Sequence, residues 1–298
     1  MRILVINPGS TSTKVAVYED ERPVLLRNIR HTADELQQYA TSFDQLPLRQ
    51  NKIVQTLEEE EIPFDFDAIV GRGGLTHPIS AGVYRVNAQM LHDTRTAIRQ
   101  HVCNLGCHIA AALASQIDHC EALIADPVIV DEMCAEARIC GSPNMSRNSV
   151  WHALNQRATA RRHALAIGRR YEDLDLIVAH LGGGITIGVH HHGRTIDVNN
   201  GLDGEGPFSP ERAGTLPSSD LIRMCFSGEY TEEELLRFVG GKAGLVAWLG
   251  TSDTREILDR IESGNEEAKL IMDAMIYHIA KGIAAQAAVL CGRPRRGV

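Results

Sequence analysis

Apolar positions in the first thirty residues fall into three short runs separated by polar turns. Arg2 to Ile6 (RILVI) leads into Asn7-Pro8-Gly9-Ser10-Thr11-Ser12-Thr13, and Lys14 to Tyr18 is a second run. The turn Glu19-Asp20-Glu21-Arg22-Pro23 then precedes Val24-Leu25-Leu26. The pattern predicts strand, glycine-containing turn, strand, turn, strand. Residues 32 to 61 read as helical, opening at Thr32 and Asp34 and ending in the acidic run Glu58 to Glu61. Asp65 to Val70 is another apolar strand, closed by the turn Gly71-Arg72-Gly73-Gly74.

Residues 87 to 115 carry a helical pattern with a polar start and Ala-rich later turns. Ala122 to Ala125 reads as a buried strand ending at Asp126-Pro127, and residues 149 to 167 as a helix with arginines on its outer face. The opening arrangement then returns. Strand Asp173 to Ala179 meets the turn His180-Leu181-Gly182-Gly183-Gly184, and Ile185 to Val189 comes back from it. A turn at His192-Gly193 and a strand at Thr195 to Val198 follow. The two halves therefore each contain a strand whose tip turns through glycine into an antiparallel partner. Glycine there lets backbone N–H groups approach an anion, so two such turns, one per domain, are expected to close on a polyphosphate. Glycine turns are also ordinary hairpin chemistry. No GxxxxGK[ST] occurs, and neither turn opens a helix after GxGxxG.

Composition narrows the classes. At 298 residues the chain is long enough for two domains, and 44% hydrophobic with 23% charged residues is a globular balance. Thirty Lys and Arg against 38 Asp and Glu give a net charge of −8, which argues against nucleic-acid partners. No apolar run reaches the ~18 residues of a membrane span, and the N-terminus enters a strand directly, so a soluble, cytoplasmic protein is expected. The seven cysteines show no pairing pattern and are expected to be reduced. His101, Cys103, Cys107 and His108 lack the second ligand pair of a zinc site, and core packing is the reading there. His190, His191 and His192 precede Gly193. Alternate strand residues face opposite ways, so the three are not expected to converge on one ion, and they read as a solvated turn.

Several polar residues sit where α/β proteins gather ligands, at the ends of apolar strands. On a returning strand Ser10, Ser12 and Lys14 point to one side, and with Asn7 they suit phosphate or magnesium-bound phosphate. Local turn hydrogen bonding accounts for Asn7 equally well. Arg72 follows a buried strand, and Arg212 lies in the Gly- and Pro-rich loop DGEGPFSPERAGTLP. A planar guanidinium fork grips carboxylate or phosphoryl oxygens, although either arginine alone could be a surface residue. Asp126 ends a buried strand, a place for a cation or for a capping turn. His152, on a helix, reads as a packed or a catalytic residue.

Five segments together carry a resemblance: Asn7 to Lys14, Gly71 to Gly74, His180 to Gly184, Asn199 to Arg212 (NNGLDGEGPFSPER), and Leu249 to Glu256 (LGTSDTRE). They resemble the butyrate kinases, a branch of the acetate kinase group in the sugar kinase and actin superfamily. The likeness runs over essentially the whole chain, and the DGEGPFSPER segment with Pro8 is most similar to the butyrate branch. It implies an α/β fold of two actin-like (ribonuclease H-like) domains, with mixed sheets flanked by helices and an interdomain nucleotide cleft. Residues 1–126 would form the first domain and 127–298 the second. The implied reaction is reversible, magnesium-dependent, direct in-line transfer from ATP to a short-chain fatty acid, giving ADP and an acyl phosphate.

The resemblance also implies roles. Asn7, Ser10, Ser12 and Lys14 would contact phosphates and magnesium-linked water. Arg72 and Arg212 would orient the substrate carboxylate and steady the transferring phosphoryl group. Asp126, with Ser12, would serve Mg2+, and His152 would hydrogen-bond the equatorial oxygens. His180 with Gly182, Gly183 and Gly184 would line the β/γ-phosphate channel, and Asp253, Thr254 and Arg255 would lie near the nucleoside. Partners would be ATP or ADP and a short-chain carboxylic acid or its acyl phosphate, with no nucleic acid or membrane, in a homo-oligomer. Members continue past the helix expected over Ile276 to Leu290 into another strand, a Gly-Gly turn and returning helices, so this chain is expected to lack the C-terminal part. Both domains would be shortened and the chain alone destabilised, with weak or no activity. Two other functions stay open: a non-catalytic nucleotide-binding member, and a sugar- or glycerol-type kinase, which would need an Asp base that a carboxylate nucleophile does not.

Overall fold

The computed structural model describes residues 1–97 and 100–291, and the chain divides into two units, Met1–Val130 and the part from Asp131 onward. In the first unit, alternation sets the faces of the opening strands, β1 (Arg2–Pro8), β2 (Ser12–Glu19) and β3 (Arg22–Arg30). Thr13, Val15 and Val17 are buried, whereas Lys14 on the opposite face is exposed. With β4 (Ala68–Arg72), β5 (Val83–Arg85) and β6 (Glu121–Ala125) they form a six-stranded sheet in the order β3-β2-β1-β4-β6-β5. β1, β4 and β6 are mutually parallel neighbours; the outer pairings are antiparallel.

Helices bury the sheet. In chain order they are α1 (Ala33–Gln37), α2 (Leu46–Glu59), α3 (Ala88–Thr96) and α4 (Leu105–Ala114). Leu4, Ile6, Val15, Val17 and Ile69 of the sheet form one core with Ile53 and Leu57 of α2 and with Leu105, Ile109 and Leu113 of α4. α4 lies very close to β4. A Cβ on Gly71 would stand 2.1 Å from the Gly106 carbonyl oxygen, and one on Gly106 would stand 2.0 Å from that of Arg72.

The second unit has a three-stranded antiparallel sheet of β7 (Asp175–Leu181), β8 (Ile185–His191) and β9 (Arg194–Val198). Its helices are α5 (Ala135–Arg138), α6 (Ala153–Ala166), α7 (Ser218–Cys225), α8 (Glu232–Gly241), α9 (Leu245–Leu249), α10 (Thr254–Glu262) and α11 (Glu266–Cys291). Alternation again decides sides. Leu176 and Val178 pack with Ala160 and Ala164 of α6, whereas Ile177, Ala179, Ile185 and Ile187 pack with Met272 and Met275 of α11. β8 is central, so all but its last residue are buried.

Several expected elements are revised. The helix over residues 32 to 61 is broken into α1 and α2, because a Thr32–Glu35 capping box starts the first and Pro47 opens the second. The helix over 87 to 115 splits at a short 3-10 turn, Val102–Asn104, where the buried Asn104 side chain accepts from Leu75 N–H and donates to the Thr94 carbonyl. Gly71 and Arg72 belong to β4, and His180 and Leu181 to β7, so neither pair lies in a turn. α6 begins only at Ala153, so His152 is its N-cap residue. Cys103 and Cys107 are buried core residues, Cys107 with its thiol pushed up by burial. β5 carries no sequence signal of its own, and Gly292 and Pro294, which read in the sequence as the stop of the helix over Ile276 to Leu290, lie outside the described residues.

The three histidines are the clearest correction. His190 is fully buried inside β8, where its Nδ1 accepts from the Tyr171 hydroxyl at 2.6 Å. His191 closes the strand and pairs in register with Asp175. Only His192 is a turn residue, with a left-handed φ of 48° followed by Gly193 at 79°. Both central residues at positive φ make the primed turn that suits a two-residue hairpin.

Candidate active site

In the first unit, the C-terminal ends of β1, β4 and β6 lie side by side. Ile6 pairs with Gly71 and Arg72 with Ala125, which lines up Asn7, Arg72 and Asp126 at the strand ends. Lys14 is the direct cross-strand partner of Asn7. The Arg72 guanidinium reaches the Asn7 side-chain oxygen at 3.4 Å. Asp126 is buried, with a left-handed φ of 37°, and its Oδ1 accepts from Gly82 N–H at 2.8 Å. Gly9 N–H closes the first hairpin on the Ser12 carbonyl at 2.7 Å, with Ser10 exposed at its tip.

That hairpin is braced from below by a residue the sequence did not single out. Arg49 of α2 is fully buried, and its guanidinium donates to the Ser10 and Ser12 carbonyls, to Thr13 Oγ1 and to Gln45 Oε1. Among the described residues no carboxylate pairs with it, and burial lowers its pKa to about 10. Thr13 Oγ1 also lies 2.9 Å from Nε2 of His31, which burial and the Arg49 charge push down to about 4. The available signal was spacing, since Arg49, Ile53 and Leu57 recur every four residues on one face of α2.

In the second unit the glycine turn Gly182–Gly184 joins β7 to β8, and the Arg212 loop is fastened to it. Ser209 Oγ donates to the Gly183 carbonyl at 2.6 Å, and Glu211 N–H donates to the same oxygen. Arg212 lies against Gly184, where an added Cβ would stand 2.1 Å from its guanidinium, and its Nη1 donates to the Gly201 carbonyl. Glycine at 184 therefore gives the Arg212 guanidinium room to lie against the turn.

Beside this turn His152 and His180 stack face to face, ring centroids 3.7 Å apart and nearly parallel. His180 Nδ1 lies 3.2 Å from Asn155 Oδ1, and His152 Nδ1 lies 2.9 Å from Thr186 Oγ1. Thr186 begins a buried polar chain. Gln156 Nε2 donates to both Thr186 oxygens, and its Oε1 accepts from His190 Nε2 at 3.0 Å. That assignment puts the His190 proton on Nε2 and leaves Nδ1 to accept from Tyr171, a neutral ring. Burial agrees, holding His190 down at about 3 and pushing Tyr171 up to about 12. Gly188 leaves the space for the amide, since a Cβ there would stand 2.4 Å from Gln156 Oε1. Thr186, Gly188 and His190 share one face of β8 by period-two spacing, a signal present in the sequence but hidden by the apolar residues between them.

Asp253, Thr254 and Arg255 form the start of α10, where Asp253 Oδ1 caps Arg255 N–H at 2.9 Å, and their contacts are local. Thus one strand-end row holds Asn7, Lys14, Arg72 and Asp126, and a second cluster holds His152, His180, Gly182 to Gly184 and Arg212.

A probable butyrate kinase from Bacteroides thetaiotaomicron is 58% identical over 98% of this chain, which spans 83% of that protein. The chain belongs to the acetokinase family, on its butyrate kinase branch. The family's sequence profile matches residues 147–294. Butyrate kinase 1 of Clostridium acetobutylicum is 47% identical over 98% of the chain, covering 82% of that protein. Two solved structures share the fold at low identity. Acetate kinase of Porphyromonas gingivalis matches with a TM-score of 0.77 and 19% identity, over 97% of this chain and 80% of its own. A propionate kinase from Francisella tularensis matches at 0.73 and 18%, over 97% and 80%. The α/β, actin-like architecture expected for this family member is thereby established. Among its described residues no helix is long and apolar enough to cross a membrane.

Proposed function

We propose that this chain transfers the γ-phosphoryl group of ATP to the carboxylate of a short-chain fatty acid, reversibly and with Mg2+, in the cytoplasm. A carboxylate oxygen forms the new bond to phosphorus, the bond to the bridging oxygen breaks, and ADP leaves with that electron pair. Phosphoryl transfer between two anions asks for positioning and charge neutralisation more than for covalent help. The 58% identity to a probable butyrate kinase over nearly the whole chain carries the reading, and the placement of the site residues supports it.

Lys14 and Asn7, a cross-strand pair, would meet phosphate oxygens with Ser10 and Ser12 at the hairpin tip. Arg72, steadied by Asn7, and Arg212, steadied by the Gly201 carbonyl, would present the carboxylate and spread the charge of the transferring group. His152, whose Nδ1 lies 2.9 Å from Thr186 Oγ1, would hydrogen-bond a phosphoryl oxygen. His180 and the Gly182 to Gly184 turn would line the β/γ-phosphates, and Asp253, Thr254 and Arg255 would serve the nucleoside. Hard oxygen donors suit Mg2+, and the buried Asp126 carboxylate would hold it, with Ser12, three strands away on β2, acting on the phosphate side. When bound, Mg2+ would neutralise phosphate charge.

The pocket for the acid's alkyl chain distinguishes neighbouring acids by only about 1–3 kcal/mol per methylene, so several short acids are expected to react. Hydroxylamine trapping of acyl phosphate, with ATP, Mg2+ and acetate, propionate, butyrate or isobutyrate, tests the proposal. Hydroxamate with one or more acids from a folded, full-length protein is the expected result. ATP binding by calorimetry without hydroxamate from any acid would mark a non-catalytic nucleotide-binding protein instead.

A further inference from the structure

Away from the candidate active site, the opposite end of the β7–β8–β9 sheet gathers Asp175, His191 and His192. One ligand atom from each lies within 4.8 Å of the others. We infer that this trio is a binding site for a divalent transition metal of the Zn2+ class.

The backbone puts the three together. Asp175 and His191 are directly opposite on β7 and β8, so their side chains share a face, and His191 Nδ1 stands 2.5 Å from Asp175 Oδ1. His192, next in sequence, would face away if the strand continued. It does not, because its left-handed φ of 48° ends the strand and swings the ring back beside His191, the centroids 4.2 Å apart at 69°. Two hydrogen bonds hold it there: its N–H donates to the Leu174 carbonyl, and its Nδ1–H donates to the Glu172 carbonyl at 3.0 Å.

That second bond fixes the tautomer. With Nδ1 protonated, the His192 lone pair is on Nε2, the arrangement in which a carbonyl orients a metal-bound imidazole. The site therefore offers two imidazoles and one carboxylate, the ligand chemistry of Zn2+. A metal would take the place of the proton shared by His191 and Asp175 and release it to solvent. Asp175 and His192 are exposed, which leaves coordination positions to water. The charge setting is mixed. Glu172 lies against Gly193 of the turn, whereas Arg194, paired with His191, shares its face and opposes a cation.

Calorimetric titration of metal-free protein with Zn2+ tests the inference, with the melting temperature read in parallel and Co2+ absorption as a reporter of geometry. The native chain should bind one equivalent that His191→Ala/His192→Ala does not, with imidazole-type Co2+ bands and a Zn2+-dependent rise in melting temperature lost together. Asp175→Asn should weaken binding at least tenfold, and Arg194→Ala should tighten it. All three variants should melt like the native chain in EDTA. Zn2+ uptake of equal stoichiometry and affinity in the double-alanine variant, which would point to the thiols, overturns the inference, as does no uptake by the native chain at 100 µM Zn2+. None of these readouts depends on the phosphotransfer proposed above.

Discussion

Thr186 shows how much one hydroxyl can organise. It sits in the buried strand β8, takes the Gln156 amide on one side and meets His152 on the other. Thr186→Val keeps the shape, removes both hydrogen bonds at the side chain and frees the His152 ring to change tautomer. If His152 donates to the phosphoryl group, kcat should fall about tenfold or more, as expected when a positioned donor is lost, with the KM for ATP little changed. An unchanged kcat would remove His152 from the reaction. His190, two strand positions further along the same face, carries the other end of this chain, so Thr186 has consequences beyond its immediate contacts.

At the level of elements, α2 and α4 hold the strand ends of the first unit in place. Arg49 is a buried cation satisfied entirely by neutral oxygens, three of them from the hairpin residues Ser10, Ser12 and Thr13. Arg49→Met would leave the Ser10 carbonyl without its donor and strip one partner from the Ser12 carbonyl and Thr13 Oγ1, which keep Gly9 and His31, at about 1–3 kcal/mol for an acceptor left unpaired where water cannot reach. The expected result is a lower melting temperature and a raised KM for ATP, with Arg49→Lys recovering part of both. A variant that melts like the native chain and binds ATP normally would show that the hairpin holds itself. α4 acts through a backbone contact instead. Gly106→Ala would drive a methyl into the Arg72 carbonyl, and overpacking of this kind costs about 1–3 kcal/mol, more where two backbones must separate. Because the displaced strand carries Arg72, chemical denaturation and turnover should worsen together.

Across the whole molecule, each unit contains one histidine buried in its neutral form, His31 at about 4 and His190 at about 3. Both are lowered from the ordinary 6.5, so between those limits the unfolded chain binds the extra protons. Stability from these groups is therefore full above about pH 6.5 and is lost as pH falls, by about 1.4 kcal/mol per pH unit for each fully buried ring. Melting temperatures measured from pH 8 to pH 4.5 should decline on the acid side, and His190→Gln should flatten that decline. An identical acid limb in the variant would exclude His190 as its source.

The strands other than β5, the two glycine hairpins and the ends at which Asn7, Arg72 and Asp126 stand were legible in the sequence, because period-two burial and glycine turns are local properties of the chain. So were Ser12 and Lys14 as neighbours on one strand. Helix interruption at 38–45 and near Asn104, the merging of Gly71 and His180 into strands, and the facing of α6 on β8 were decided by packing and by long-range hydrogen bonds. Arg49, Gln156 and Thr186 acquire their roles from partners 30 or more residues away in sequence. The histidine run shows the division most plainly. Alternation correctly separated neighbours within a strand, but only the folded hairpin set the point at which the strand ends, and one residue in a left-handed turn reversed the direction of its ring.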